Sequence, residues 1–398
     1  MKHSVELIQD SVELHNCIIN LNSKKEIAFD LEFDKNYYRF GFNLCLVQIF
    51  DGKTCYLIDP LSRKLNISKL FQILENPEII KICFSVDEDL RLLHSLGCFP
   101  KNLYDIEIAS RLLNYPAMSL TNLLIEVLGI DPGESSQLSN WFRRPLTTKQ
   151  VSYAASDVLH LPLLKKNLAE KAGGSEVEGW IKEENRKLDH LDYSNAANNH
   201  IIKEKEKREF NEVEWHIYKK LIRWRHELAR KYNKPDFQLI DKKSLTNITK
   251  KSTNGINWME MPGVFKKIKT EYYAVELNQL LKDSRAEASE KGLSENEPAQ
   301  KPLSQEEYNQ ILDERRKISE LRKSFFDPVK ASISNKYGAE TANFMMSNRA
   351  ISDMITGKYG PVENYKKELI NHTAGELGLD LSLGNLLTRH ANDDQALI

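Results

Sequence analysis

Two carboxylates stand two residues apart in an apolar run. The stretch "EIAFDLEFDKNYY", residues 26–38, places Asp30 and Glu32 among Ile27, Ala28, Phe29, Leu31 and Phe33. In a strand, residues i and i+2 point to the same face, so these two charges would project side by side. Burying an unpaired carboxylate is costly or forces it to keep its proton, and two together repel. A hard divalent cation, Mg²⁺ or Mn²⁺, would relieve both effects, because such ions take carboxylate oxygens. The other reading is a strand whose second face is solvated. Two further carboxylates bear on the choice. Asp89 lies in "KICFSVDEDLRLL", where a strand gives way to a helix. Asp157 lies in "QVSYAASDVLHL", and Tyr153 precedes it by four residues, one helical turn away on the same face.

Holding such a set in place takes a sheet and helices. "EIAFDLEF", "LCLVQIF" and "TCYLID" are short apolar runs, with Asp51–Gly52 as a hairpin signal between the last two. "IIKICFS" reads as another strand, and "DEDLRLLHSLG" as a helix that stops at Gly97. "DIEIASRLLN", "SLTNLLIEVLG" and "TKQVSYAASDVLHLPLLKKNLAEKA" read as further helices. Strands followed by helices predict an α/β domain over 1–175, a mixed sheet with helices packed on it. Residues 176–204 read as a connector around a short helix, and 205–285 as a helix-rich module. Residues 286–306 have the polar composition of a flexible linker. Helical pattern returns over 307–390.

The chain has 398 residues, room for two or three domains, with ordinary hydrophobic (41%) and charged (28%) content. No run approaches the roughly 18 apolar residues of a membrane span, and the N-terminus lacks the apolar region of a signal peptide. A cytoplasmic protein without a membrane partner is the expectation. Cys17, Cys45, Cys55, Cys83 and Cys98 form no C-x-x-C pair, which argues against a disulfide framework or a zinc site. The net charge of −1 hides an asymmetry: residues 1–170 carry 18 Lys+Arg against 21 Asp+Glu, residues 200–285 carry 20 against 12. A basic module beside a slightly acidic one suits a polyanionic partner or is a solvated helical face.

The motifs resemble those of a known family. D-x-E on the first apolar run, the Asp of "EDL" after a later strand and Y-x-x-x-D on a helix match, in order, the three motifs of the DEDD 3′–5′ exonucleases. Tyr153 marks the DEDDy branch; the DEDDh branch has histidine at the position of Ser152. The flanks "YYRFGFNLCLVQIFDGKTCYLIDPL", "LYDIEIASRLLNY" and "SNWFRRPLTTKQVSYAASDVLHLPLL" resemble ribonuclease D most closely. Residues 205–285 resemble the HRDC domain, a helical nucleic-acid-binding module, at Trp224–Arg225, Pro235, Leu245 and the "MPGV" around Gly263. Residues 307–390 stand where that family carries a second, HRDC-like domain. Two positions depart from the family: Phe84 where histidine is frequent, and Glu134 where lysine is frequent.

The resemblance implies a ribonuclease H-like fold followed by two all-α domains. It implies two divalent ions, with Asp30 between them, Glu32 and Asp157 on one and Asp89 supporting the other. Tyr153 would orient the attacking water. The activity implied is removal of nucleotides from RNA 3′ ends, tRNA precursors among them, as nucleoside 5′-monophosphates. A DNA-directed 3′–5′ exonuclease and a non-catalytic nucleic-acid adaptor are the competing readings. Phe33 is the candidate for stacking on the terminal base, and Arg143 and Arg144 for phosphate contact. Lys219, Lys220, Arg223, Arg225, Lys266 and Lys267 are the candidate backbone-binding cations of the basic module. Each of these has a bland alternative in packing or in a solvated surface, and for Arg225 packing is the stronger expectation.

Overall fold

The run around Asp30 becomes an inner strand of a six-stranded sheet. The computed structural model describes residues 3–194, 202–251, 256–356 and 363–380. Strands β1 (Ser4–Ile8), β2 (Glu26–Lys35), β3 (Phe42–Phe50), β4 (Thr54–Ile58), β5 (Ile80–Cys83) and β6 (Leu103–Asp105) lie in the order β1-β4-β3-β2-β5-β6. The β2–β3 and β3–β4 pairs are antiparallel; β1 joins β4, β5 joins β2 and β6 joins β5 in parallel. The sequence reading had anticipated β2 to β5. It passed over the two edges, because β1 is exposed for most of its length and β6 has three residues.

The sheet is covered on both faces, and the alternation along β2 decides which face is which. Ile27, Phe29 and Leu31 belong to one apolar cluster with α1 (Ser11–Asn22), α2 (Ser68–Leu74) and α3 (Asp87–Ser95). Ala28 belongs to the other, with α4 (Ile106–Leu112), α5 (Leu120–Leu128), α6 (Thr148–Leu159), α7 (Leu161–Ala172) and α8 (Glu176–Leu188). Asp30 and Glu32 continue the face of Ala28, the face crossed by α6. The single helix read over 148–172 is thus two, divided at His160. The connector begins as α8, whose Trp180, Ile181 and Leu188 are buried; of its remainder, residues 195–201 lie outside the described residues.

The basic module has its own core, built from α9 (Glu212–Tyr232), α10 (Asp236–Leu239), α11 (Lys242–Lys250) and α12 (Glu271–Glu290). The "MPGV" stretch has a physical reason here. Gly263 sits at φ +67, and a Cβ on it would lie 2.0 Å from Asp241 Oδ2. Asp241 caps α11 through Ser244 N, and the Ser244 hydroxyl donates to Pro262 O.

The expected linker over 286–306 differs from the expectation. Its first residues are the last turn of α12, and the next ones bind the start of α9. Ser294 N donates to the Glu212 carboxylate, Glu212 N to Glu297 O, and Ala299 N to Phe210 O. Polar residues that read as disorder here satisfy backbone groups.

The last helices are α13 (Gln305–Leu321), α14 (Asp327–Tyr337), α15 (Ala339–Met345), α16 (Asn348–Ile355) and α17 (Asn364–Glu376). A π-turn, Arg322–Phe326, joins the first two. They build no separate core among the described residues. Phe325, Val329, Ile333, Met345 and Ile370 share the cluster of Leu112, Leu123 and Trp180. A buried ionic group fastens them: Lys366 lies 2.5 Å from Glu184 of α8, with side chains 4% and 6% exposed, and Tyr365 donates to Glu184 at 2.6 Å.

Removing one partner of a buried pair leaves an uncompensated charge, at about 3–5 kcal/mol. Lys366→Met should therefore lower unfolding stability by about that amount in urea titration, and Glu184→Leu combined with Lys366→Met should recover much of it. A single variant as stable as the wild type would show that this pair does not fasten α17.

Candidate active site

Three of the four carboxylates converge. Oxygen atoms of Asp30, Glu32 and Asp157 lie within 4.8 Å of one another. Asp30 and Glu32 arrive on β2, where each is paired with β3, just beyond the stretch Glu26–Ala28 that pairs with β5. Asp157 arrives on α6, whose start is locked by a capping box between Thr147 and Gln150. The Gln150 amide also donates to Ser139 and to Asn140 O. Those bonds set the rotation and height of α6 over the sheet, and with them the place of Asp157.

Asp89, on α3, stands outside that group of oxygens but near enough for its charge to act on Glu32. Its position depends on a residue the sequence reading did not single out. The buried Asp105 carboxylate accepts from Ser85 N, Val86 N and Glu107 N, which fixes the turn that opens α3. Asp105 N in turn donates to Asn185 of α8 at 2.6 Å. The only sequence trace of this was one aspartate inside "LYDIEIAS".

Burial dominates the electrostatics. It pushes Asp30 up to about 7 and Asp157 up to about 8. The Asp30 charge raises Asp157 further, and a hydrogen bond from Tyr153 opposes the rise. Glu32 is driven up by burial first and then by Asp30, Asp157 and Asp89; Asp89 is raised by burial and by Asp30. Burial and the adjacent Asp157 and Glu32 raise Tyr153, so its phenol stays neutral at physiological pH.

The residues fit divalent cations. The donors are all carboxylate oxygens, the set that Mg²⁺ and Mn²⁺ favour. Asp89 Oδ1 is buried without a hydrogen-bond partner. So are both amide atoms of Gln48, which sits directly across from Asp30 on β3 and has no exposed surface. Gln48 is a second site residue that the sequence did not mark, since a lone glutamine in "LCLVQIF" has no spacing signal.

The other candidates fall in different places. Phe33 follows a bulge and packs against Phe42, ring centroids 5.1 Å apart, on the cluster of Leu31 and not on the carboxylate face. Arg144 is not a phosphate contact. Its guanidinium forms a fork–fork pair with the buried Asp59 at 2.7 Å and donates to the carbonyls of Trp141, Arg143 and Cys45. A buried carboxylate needs such a partner. Arg143 is exposed. Glu134 pairs with Lys149 at 2.9 Å, one turn ahead of Tyr153, so a cation reaches this edge from α6. Lys220 is engaged by Glu287 of α12 at 2.8 Å, and Lys219 lies over Trp215, while Arg223, Lys266 and Lys267 are exposed. Arg225 donates to Ile240 O and, as expected, belongs to the packing.

Residues 5–172 match the family model described as 3′–5′ exonuclease. Ribonuclease D of Shewanella sp. (strain ANA-3) is 35% identical over 189 residues, 46% of this chain and 47% of that protein. The first part of the chain is a 3′–5′ exonuclease domain, similar in sequence to that of ribonuclease D. Ribonuclease D of Desulfotalea psychrophila is 29% identical over 243 residues, 59% of this chain and 63% of that protein. The matched regions thus span about half to just under two thirds of these ribonuclease D relatives. The crystal structure of Escherichia coli RNase D, an exoribonuclease involved in structured RNA processing, superposes with a TM-score of 0.65 at 21% identity, covering 98% of this chain and 99% of that one. That likeness extends the shared fold through the helical modules. No helix among the described residues is long and apolar enough to cross a membrane.

The raised carboxyls set a pH dependence. They bind protons more tightly folded than unfolded. Their contribution therefore favours the metal-free fold below the ordinary carboxylate range and is lost as pH rises toward about 8, the value for Asp157. Divalent ions relieve that loss. The gain in Tm from Mg²⁺ over a chelator control should widen between about pH 5 and about pH 8, and Asp157→Asn should narrow it. Equal gains at both pH values would count against this cluster as the cation site.

Proposed function

We propose that this chain is a metal-dependent exoribonuclease that shortens RNA from the 3′ end and releases nucleoside 5′-monophosphates, with tRNA precursors among its substrates. The single observation that carries this reading is the meeting of Asp30, Glu32 and Asp157 oxygens within 4.8 Å beside Tyr153. The related ribonuclease D sequences support the choice of RNA.

Asp30, Glu32, Asp89 and Asp157 would hold two divalent ions, Mg²⁺ or Mn²⁺. Bound there, such ions supply Lewis-acid stabilisation of the attacking and leaving oxygens of an in-line displacement. The chain's own part is position. β2 holds Asp30 and Glu32 rigidly, and α6 brings Asp157 to them. Tyr153 stays protonated, so its hydroxyl orients the attacking water by hydrogen bonding and does not act as a base. Water adds to phosphorus and gives up a proton to solvent, the bond from phosphorus to the upstream 3′ oxygen breaks, that oxygen takes up a proton, and the phosphate stays on the 5′ oxygen of the released terminal nucleotide. The basic helical module would add sequence-blind, salt-sensitive grip on the RNA backbone.

The test is digestion of RNA and DNA oligomers of equal length with Mg²⁺ or Mn²⁺. Stepwise release of 5′-monophosphates from RNA is expected, abolished in Asp157→Asn. Tyr153→Phe should lower kcat about tenfold to a hundredfold with little change in KM, the pattern of an interaction made in the transition state. Faster digestion of DNA would move the assignment to a deoxyribonuclease, and binding without cleavage to an adaptor.

A further inference from the structure

We propose that the turn after β2, residues 36–41, forms with α10 a stacking station for the single-stranded RNA tail that leads into the candidate active site. The proposal rests on the exonuclease reading above and adds to it where the nucleotides upstream of the terminal one are held.

Three aromatic rings stand in solvent at the seam between the exonuclease domain and the basic module. Tyr37 is 63% exposed, Tyr38 37% and Phe237 51%. The two tyrosines lie edge to face with centroids 4.8 Å apart. The seam itself is closed by Gln238, the neighbour of Phe237 on α10, which donates to Tyr37 O at 3.0 Å. Phe40 of the same turn goes the other way, against His226 of α9 at 4.9 Å. One turn thus anchors one ring in the module and presents two to water.

The presentation is rigid. The Asp34 carboxylate, 5% exposed, accepts from the amides of Tyr37, Tyr38 and Arg39. Asn36, at φ +56, donates its amide to Gly41 O at 2.7 Å. None of these bonds uses a tyrosine ring. The rings are consequences of the turn and not its support, so a role in packing does not account for them. A pre-ordered aromatic pair costs a ligand little entropy on binding.

The surroundings select a polyanion with planar bases. Arg39 lies over the Phe142 ring at 3.9 Å. Lys234 lies over Phe265 at 5.0 Å and reaches Gln238 at 3.4 Å, while Lys266 and Lys267 follow Phe265 and are exposed. Contacts therefore run from Phe265, the neighbour of Lys266, through Lys234 and Gln238 to Tyr37. From there the chain enters β2, where Asp34 lies roughly 7 Å along the strand from Glu32. Alternating cations and exposed rings are how proteins hold single-stranded nucleic acid without reading its sequence.

The experiment compares the full chain with Tyr37→Ala/Tyr38→Ala, Phe237→Ala and the conservative Tyr37→Phe/Tyr38→Phe. Two substrates are used: a single-stranded oligoribonucleotide of about ten residues and a small p-nitrophenyl ester of a nucleoside 5′-monophosphate. The ratio of kcat/KM for the oligomer over the ester should fall about tenfold in the alanine variants, through KM, and the phenylalanine pair should restore it. Binding of the same fluorescent oligomer by anisotropy, in the Asp157→Asn background, should weaken by a similar factor. A wild-type ratio together with wild-type binding in the alanine variants overturns the stacking station. If the wild type cleaves neither substrate but the alanine variants still lose binding, the exonuclease reading fails and the station stands.

Discussion

Repulsion among buried carboxylates governs this molecule. Asp30, Glu32 and Asp157 are held close together; desolvation raises all three carboxyls to neutrality or above, and neighbouring charge raises Glu32 and Asp157 further. Left to itself, such a cluster would splay apart, and the fold denies it that freedom. β2 is an inner strand with apolar clusters on both faces, α6 is pinned by its cap, and α3 is aimed by Asp105. Each restraint lies in well-packed surroundings, where a shift of one carboxylate would open a void. The packing energy of the domain is thus what keeps an unfavourable arrangement in place until cations relieve it. Strain of this kind belongs to functional sites and is uncommon elsewhere.

How much of this was legible in the sequence depends on how local each signal is. The carboxylates on β2 were legible because a charge pair at i, i+2 in an apolar run stands out, and Asp89 and the Tyr153–Asp157 turn favoured a site over a solvated face. Asp157 and Tyr153 were legible from one helical turn. Gln48 and Asp105 were not, because their roles exist only across strands or between a strand end and a distant turn. Arg144 was misread for the same reason. A cation near a site motif looks like a phosphate contact until Asp59, 85 residues away in sequence, takes the Nε–Nη2 edge of its guanidinium. The linker was misread because polarity marks absence of a core, and capping polar groups need no core.

The helical half is not an appendage. α9 to α12 have their own apolar cluster, but α14 to α17 share one with the exonuclease domain. The chain therefore returns to where it began after passing through the basic module. That module also touches the turn after β2 through Gln238 and His226, which sets its cations beside the exonuclease domain. A flexible tether would have let the same charges act only as a local concentration of positive field.

The turn after β2 is where the two functions meet. The strand that carries Asp30 and Glu32 runs directly into Asp34, and Asp34 organises the residues that touch α9 and α10. The candidate carboxylates and the proposed stacking station are therefore consecutive on one piece of backbone. A nucleotide tail held at Tyr37 and Tyr38 would approach the carboxylates along a strand that is paired with β3 from Ala28 to Lys35. Positioning by continuity of this kind needs no conformational change on binding. It predicts that the domain interface matters for the reaction through the rigidity of six residues, and hardly at all through the rest of its area.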